Sequence, residues 1–224
     1  MQPQPSAIMA QTQAFDIDCT ACPRLASFLR ETRALYPAYY ARPVPAFGPL
    51  DARLLVVGLA PGKHGANATG RPFTGDYAGI LLYQTLFDTG FSNQARADRP
   101  DDGLELYDCR VTNAVRCLPP ANKPSASEVN NCSRFLGYDL AATPSGGIVL
   151  ALGRIAHEAV VRCEGYRLRD YPFAHGARHR LSRRRTLLDS YHCSRYNTQT
   201  RRLTAAMFYD VLCDARALLS AAKA

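Results

Sequence analysis

Four short strand-like runs punctuate the chain: Leu54 to Val57, Leu106 to Ala114, Gly147 to Leu152 and Thr186 to Ser190. They lie too far apart for hairpins, and helical spacing fills the gaps. Between Tyr77 and Gly90, Ile80, Leu81, Tyr83, Gln84, Leu86 and Phe87 recur at helical intervals, and Gly90 supplies a stop. Ser125-Ala-Ser-Glu128 has the form of a capping box, and Val129, Cys132, Phe135, Leu136 and Leu140 then mark one buried helical face. Further helices are expected from Pro23 to Tyr36, with Leu25, Phe28, Leu29, Leu35 and Tyr36 inward, and from Ile155 to Gly165. A last helix, Leu203 to Leu219, carries Met207, Phe208, Val211, Leu212 and Leu218.

Apolar strands alternating with helices imply a parallel sheet covered on both faces. The expected fold is therefore α/β, a three-layer α/β/α sandwich around a mainly parallel four-stranded sheet. Residues 18–224 form one domain in this scheme, and the polar, Gln-rich stretch from Met1 to Ile17 is a mobile tail. The Arg-rich segment from Arg167 to Arg185 is expected to be irregular.

One loop stands apart. From Gly58 to Asp76 the chain holds five glycines and two prolines, with Lys63, His64, Asn67, Thr69 and Asp76 as polar groups and Phe73 as a flat apolar face. A loop of this length leaving a buried strand is usually a working loop. The ends of the four strands bring it together with Asn113, Gly153-Arg154 and His192. In open α/β sheets that carboxyl edge is where ligands bind.

Composition adds two constraints. No run of 18 apolar residues is present, so a membrane span is not expected, and the opening residues lack the pattern of a signal peptide. A cytoplasmic, nucleoid-associated monomer is the expectation. The net charge of +8 is concentrated between Arg162 and Arg202, where eleven arginines face three acids and no lysine occurs. The rest of the chain balances, so this segment suits a polyanion such as nucleic acid. Guanidinium pairs bidentately with phosphate and stacks on bases.

Eight cysteines in a reducing compartment point to metal ligands plus bystanders rather than disulfides. Cys19-x2-Cys22 and Cys117-x14-Cys132 are spacings that close a four-ligand site. Zinc ribbons repeat the short spacing in both halves, so the long gap leans toward an iron–sulfur cluster while leaving zinc open. Cys109, Cys163 and Cys213 fit core positions, and Cys193 beside His192 lacks a paired base that would make it a nucleophile.

The strings GLAPGKHGANATGRPFTGD, TNAVRC and SYHCSRYNTQTRRLT, in this order, resemble the uracil-DNA glycosylase superfamily, most closely its family 5. The resemblance runs from Cys19 to about Thr204. It implies a glycosylase-like fold, a 4Fe-4S cluster on Cys19, Cys22, Cys117 and Cys132, and hydrolysis of the N-glycosidic bond of a damaged base in single- or double-stranded DNA. In these roles Phe73 stacks on the flipped base, Asn113 reads its edge and His192 stabilises charge on the leaving base. Gly58, Ala60 and Gly62 belong to the base pocket, while His64, Ser194, Arg195 and Asn197 contact DNA. A carboxylate or amide found in other branches is replaced here by Ala60, which leaves Asp76 as the only carboxylate of the loop. Asp76 orients water or simply caps the helix that starts at Tyr77. His64 likewise is either a partner for water or phosphate, or an ordinary loop residue. Uracil is the expected substrate, with hypoxanthine, xanthine and hydroxymethyluracil as further ones. A non-catalytic, cluster-containing nucleic-acid-binding module is the alternative.

Overall fold

A computed structural model describes residues 14–221. Its centre is a sheet in the order β2-β1-β3-β5-β4, built from β1 (Leu54–Gly58), β2 (Cys109–Asn113), β3 (Ile148–Leu152), β4 (Arg178–Arg180) and β5 (Thr186–Ser190). Strands β1, β2, β3 and β5 are parallel, and β4 runs antiparallel to β5. The expected α/β class holds, but the sheet has five strands rather than four. The extra strand lies inside the segment read as irregular. Its sequence, Arg-His-Arg, is an exposed edge with no apolar run to betray it.

The inner strands are buried on both faces, and alternate residues feed two separate cores. Leu54, Val56, Ile148, Leu150 and Leu188 face the layer formed by α3 (Tyr77–Asp88) and α7 (Ala205–Ala221). Leu55, Val57, Val149, Ala151 and Leu187 face α1 (Pro23–Leu35), α4 (Ala126–Ala142) and α5 (Arg154–Cys163). Two short helices, α2 (Ala66–Thr69) and α6 (Arg195–Gln199), interrupt loops on the carboxyl side of the sheet.

Helix ends follow the local chemistry. Ser125 and Glu128 form the reciprocal capping box that opens α4, and all five apolar residues assigned to its inner face are buried. Two helical faces differ from expectation. In α1, Leu25 and Leu29 are buried but Leu35, the last residue of the helix, is largely exposed. In α3 the inner face is Gly79, Leu82, Tyr83 and Leu86, leaving Ile80, Gln84 and Phe87 outside. So apolar a sequence offers more than one stripe, and Gly79 lies on the one turned inward, where its missing side chain admits the carbonyl of Phe73. A methyl group there would lie 1.8 Å from Phe73 O.

Beyond the sheet, a buried polar network ties β2 to α4. Asp139 accepts from the Arg116 guanidinium, from Arg110 Nε at 3.0 Å and from Thr112 Oγ1 at 3.1 Å. Such a network fixes the segment leaving β2, which carries Cys117. The proposed tail falls mostly on residues 1–13, which lie outside the described ones; Phe15 already packs edge-on against Phe135 at 5.6 Å.

Candidate active site

A cavity of about 400 Å³ opens at the carboxyl edge of the sheet. Its walls include Ala60, Gly62, Phe73, Asp76, Asn113, His192, Ser194 and Arg195. These residues are spread over some 130 positions of sequence, yet the parallel strands deliver them to one edge. Tyr77 and Asn122 also line it and were not singled out beforehand. Their signals were slight: Tyr77 follows the capping Asp76, and Asn122 adopts a left-handed conformation (φ 55°) in the proline-rich loop.

The back wall depends on Gly58. It pairs with Asn113 across β1 and β2. A methyl group on Gly58 would come within 2.4 Å of Asn113 Oδ1 and 2.5 Å of Phe73 Cζ. Only glycine lets the amide and the ring occupy adjacent positions. Phe73 itself has φ 54°, a conformation that non-glycine residues adopt at a cost of about 1–3 kcal/mol. Its ring lies near parallel to His192, centroids 6.0 Å apart and planes 29° apart.

Two buried polar atoms in this wall, Asn113 Oδ1 and His192 Nδ1, have no partner among the described residues. Burying such groups unpaired is costly, and they are natural seats for a ligand's donors and acceptors. Burial also depresses the His192 pKa to about 4, so the imidazole is neutral at physiological pH. His192 is held by Asn197, whose amide donates to the His192 carbonyl at 2.8 Å, while Ser194 caps α6 through Asn197 N.

Asp76 is both a cap and a wall. Its Oδ1 accepts from Gly79 N at 2.8 Å at the start of α3, and the carboxylate also faces the cavity. Burial raises its pKa, opposed by hydrogen bonds from Gly79 and Ala78. His64 is elsewhere: exposed, with Nδ1 2.8 Å from Tyr39 Oη. Lys63 sits over the Tyr36 ring and is not part of the cavity wall.

A second cavity of about 350 Å³ adjoins the first, sharing Leu59 and His192. Arg154 lies over Phe173 and Arg202 over Tyr191 there, which makes a basic, aromatic-backed flank.

The four cysteines meet on the α1 and α4 side, in a small enclosed chamber lined by Cys19, Cys22, Cys117 and Cys132. Amide and guanidinium groups point at their sulfurs: Arg116 N to Cys132 at 3.3 Å, Asn131 Nδ2 to Cys22 at 3.6 Å and Arg134 to Cys19 at 3.1 Å. Burial pushes the thiols of Cys22, Cys117 and Cys132 up, Cys132 to about 11, and a bound cation would be needed to draw off their protons. The donor set therefore fits a metal centre. Cys193 is fully buried in the core, consistent with a packing role. His157 and Asp189, both buried, form a separate group with the half-buried His179, in which His157 Nδ1 lies 2.8 Å from Asp189.

A mainly parallel sheet with an aromatic-walled cavity and orphaned amide and imidazole groups at its carboxyl edge defines an α/β protein with a ligand site at that edge. The superfamily model described as Uracil DNA glycosylase superfamily matches residues 45–216. The chain is 47% identical over 205 residues to the type-5 uracil-DNA glycosylase of Thermus thermophilus, covering 89% of this chain and 93% of that one. It is 41% identical to the type-5 enzyme of Pyrobaculum aerophilum, covering 88% and 87%, and 39% identical to that of Mycobacterium leprae, covering 89% and 91%. The chain belongs to the uracil-DNA glycosylase superfamily, among its type-5 members.

Proposed function

We propose that the protein excises uracil from DNA by hydrolysing the N-glycosidic bond, leaving an abasic site. The observation that carries this reading is the pair of unpartnered buried atoms, Asn113 Oδ1 and His192 Nδ1, beside the Phe73 ring. A flipped base stacks on Phe73, because every base has an apolar face. The Asn113 amide offers an acceptor and a donor to the edge of the base. As the glycosidic bond breaks, negative charge grows on the base. The neutral His192 supplies an N–H to it from a buried position, where such a donor is worth most.

Asp76 completes the chemistry. One oxygen is committed to the α3 cap, which fixes the carboxylate; the other holds a water and stabilises positive charge on the sugar. Ser194, Arg195 and the Arg154–Arg202 flank hold phosphates beside the extruded nucleotide. Lys63 lies outside the cavity, and among the described residues no lysine lines it to form a Schiff base, which supports a monofunctional enzyme.

Cys19, Cys22, Cys117 and Cys132 hold a 4Fe-4S cluster in this reading. The fourteen-residue gap between Cys117 and Cys132 departs from the repeated short spacing of zinc ribbons, which favours the larger centre. Its role is structural: it joins α1 to the segment after β2 that leads from Asn113.

Incubation with duplexes carrying uracil, hypoxanthine, xanthine or hydroxymethyluracil, with released bases identified by mass spectrometry, tests the reading. Free uracil is expected, with the other three bases released more slowly. Release of no base by folded, iron-loaded protein would leave only a binding module.

A further inference from the structure

The arginine excess is not absorbed by the base pocket. Arg195, Arg154 and Arg202 serve the catalytic edge, but a third cavity of about 580 Å³ lies elsewhere, lined by Arg178, Arg180, Arg183 and Arg184. Its position follows from strand register. Strand β5 runs from Thr186 toward Ser190 and delivers His192 to the catalytic edge, whereas Arg180 pairs with Thr186 at the opposite end. Four residues of strand separate the two ends by about 13 Å. The cavity also flanks the edge strand β4, the far side of the sheet order from β2.

Charge in this cavity is largely uncompensated. Arg178 is paired with Asp214, and Arg183 donates to the Ala141 carbonyl at 2.6 Å. Among the described residues Arg180 and Arg184 are exposed and have neither an ion pair nor a side-chain hydrogen bond. The carboxylate lining the cavity, Asp170, is engaged by Arg167 and Arg169. Tyr166 and Tyr171 stack at 4.9 Å to form one wall. Arg183 and Arg184 both sit in the left-handed region, with φ of 54° and 57°. The turn they make carries its guanidinium groups into solvent rather than into the core.

We propose that this cavity is a second phosphate-backbone site, which holds a segment of undamaged DNA while the catalytic edge engages a lesion. The inference rests on the DNA reading above and extends it to a surface the chemistry does not use. Free guanidinium groups match phosphate, and their number sets the salt dependence of binding. A stiff duplex seated on the catalytic edge does not turn back around the sheet, because DNA bends little over tens of base pairs. The second segment is therefore a separate duplex or a distant part of the same one. Such a contact keeps the enzyme on the polymer after it leaves a lesion.

The test uses the cluster-loaded protein saturated with a short duplex bearing a stable abasic-site analogue, to which a labelled undamaged duplex is added. Wild type is expected to bind the second duplex by fluorescence anisotropy. The Arg180→Gln/Arg184→Asn double variant, in which asparagine suits the left-handed position, should bind it about fivefold more weakly, with a salt slope shallower by roughly two counterions. Affinity for the abasic duplex and single-turnover uracil excision should not change. No binding of the second duplex by wild type, or equal binding by the variant, would overturn the inference, as would an equal loss on the abasic duplex. Failure of wild type to excise uracil at all would instead remove the reading on which it stands.

Discussion

The base pocket and the cysteine chamber are both concave, and they are built on opposite principles. The pocket is open and takes its walls from residues as distant as Leu59 and Arg195; among the described residues its buried Asn113 Oδ1 and His192 Nδ1 are left without partners. The chamber is enclosed, and its sulfurs receive N–H groups from Arg116, Asn131 and Arg134. One is prepared for a guest that enters and leaves; the other for a group that stays. Unsatisfied groups held on rigid strands are pre-organised for a ligand, at a stability cost that the rest of the fold must carry. Mutations should therefore divide, with pocket changes abolishing turnover in a stable protein and chamber changes loosening the protein first.

The largest effect is expected from His192→Ala and Asn113→Ala. Each should slow single-turnover excision by about 10²–10³ while the melting temperature holds or rises, since each removes an unpaired buried group. A folded variant with wild-type rates would remove that residue from the chemistry. Asp76→Asn makes the sharper cut, because asparagine also caps helices. A rate loss of about tenfold or more with unchanged stability is expected, and unchanged rates would reduce Asp76 to its α3 cap.

On the chamber side, Cys132→Ser should abolish the iron absorption and lower the melting temperature, with excision by the surviving folded fraction reduced far less than in His192→Ala. Asp139→Asn attacks the neighbouring network and should cost about 3–5 kcal/mol, because the Arg116 guanidinium is then left buried without its counter-charge. Equal melting curves would show that this network does not brace the chamber.

The smallest effect is in pH. His192 takes up its proton near pH 4 in the folded protein, against 6.5 for an ordinary histidine. Between those values the unfolded chain binds more protons, so this residue makes the protein less stable as pH falls from 6.5 to 4 and contributes nothing further above 6.5. Excision should show no inflection near pH 6.5. A His192 ring titrating there by NMR would mean that the pocket does not shield it.

Much of the pocket could be read from sequence because its parts lie at strand ends, where apolar runs break into polar loops. Phe73 and His192 follow such breaks, Asn113 ends its strand at one, and the parallel topology brings them together. The capping box at Ser125 and Glu128 was equally plain, since its signal is local. What escaped was set by tertiary packing. Strand β4 is recruited by the edge of β5 rather than by its own sequence, and which stripe α3 buries, with Gly79 against the Phe73 carbonyl, is not set by its spacing alone. His64 belongs with Tyr36 and Tyr39, a contact across the loop that spacing alone does not encode. The dual position of Asp76 also needed coordinates, for a sequence shows a cap or an acid but not one side chain serving both.

Alkaline cleavage after incubation with a uracil-containing duplex is the most direct test of the central claim, that the carboxyl-edge cavity is a base-excision site. Iron-loaded wild type should give strand breaks at the uracil position and nowhere else, with none before alkali, and His192→Ala should give breaks about a hundredfold more slowly. Intact strands from folded wild-type protein, or equal breaks from His192→Ala, would contradict it.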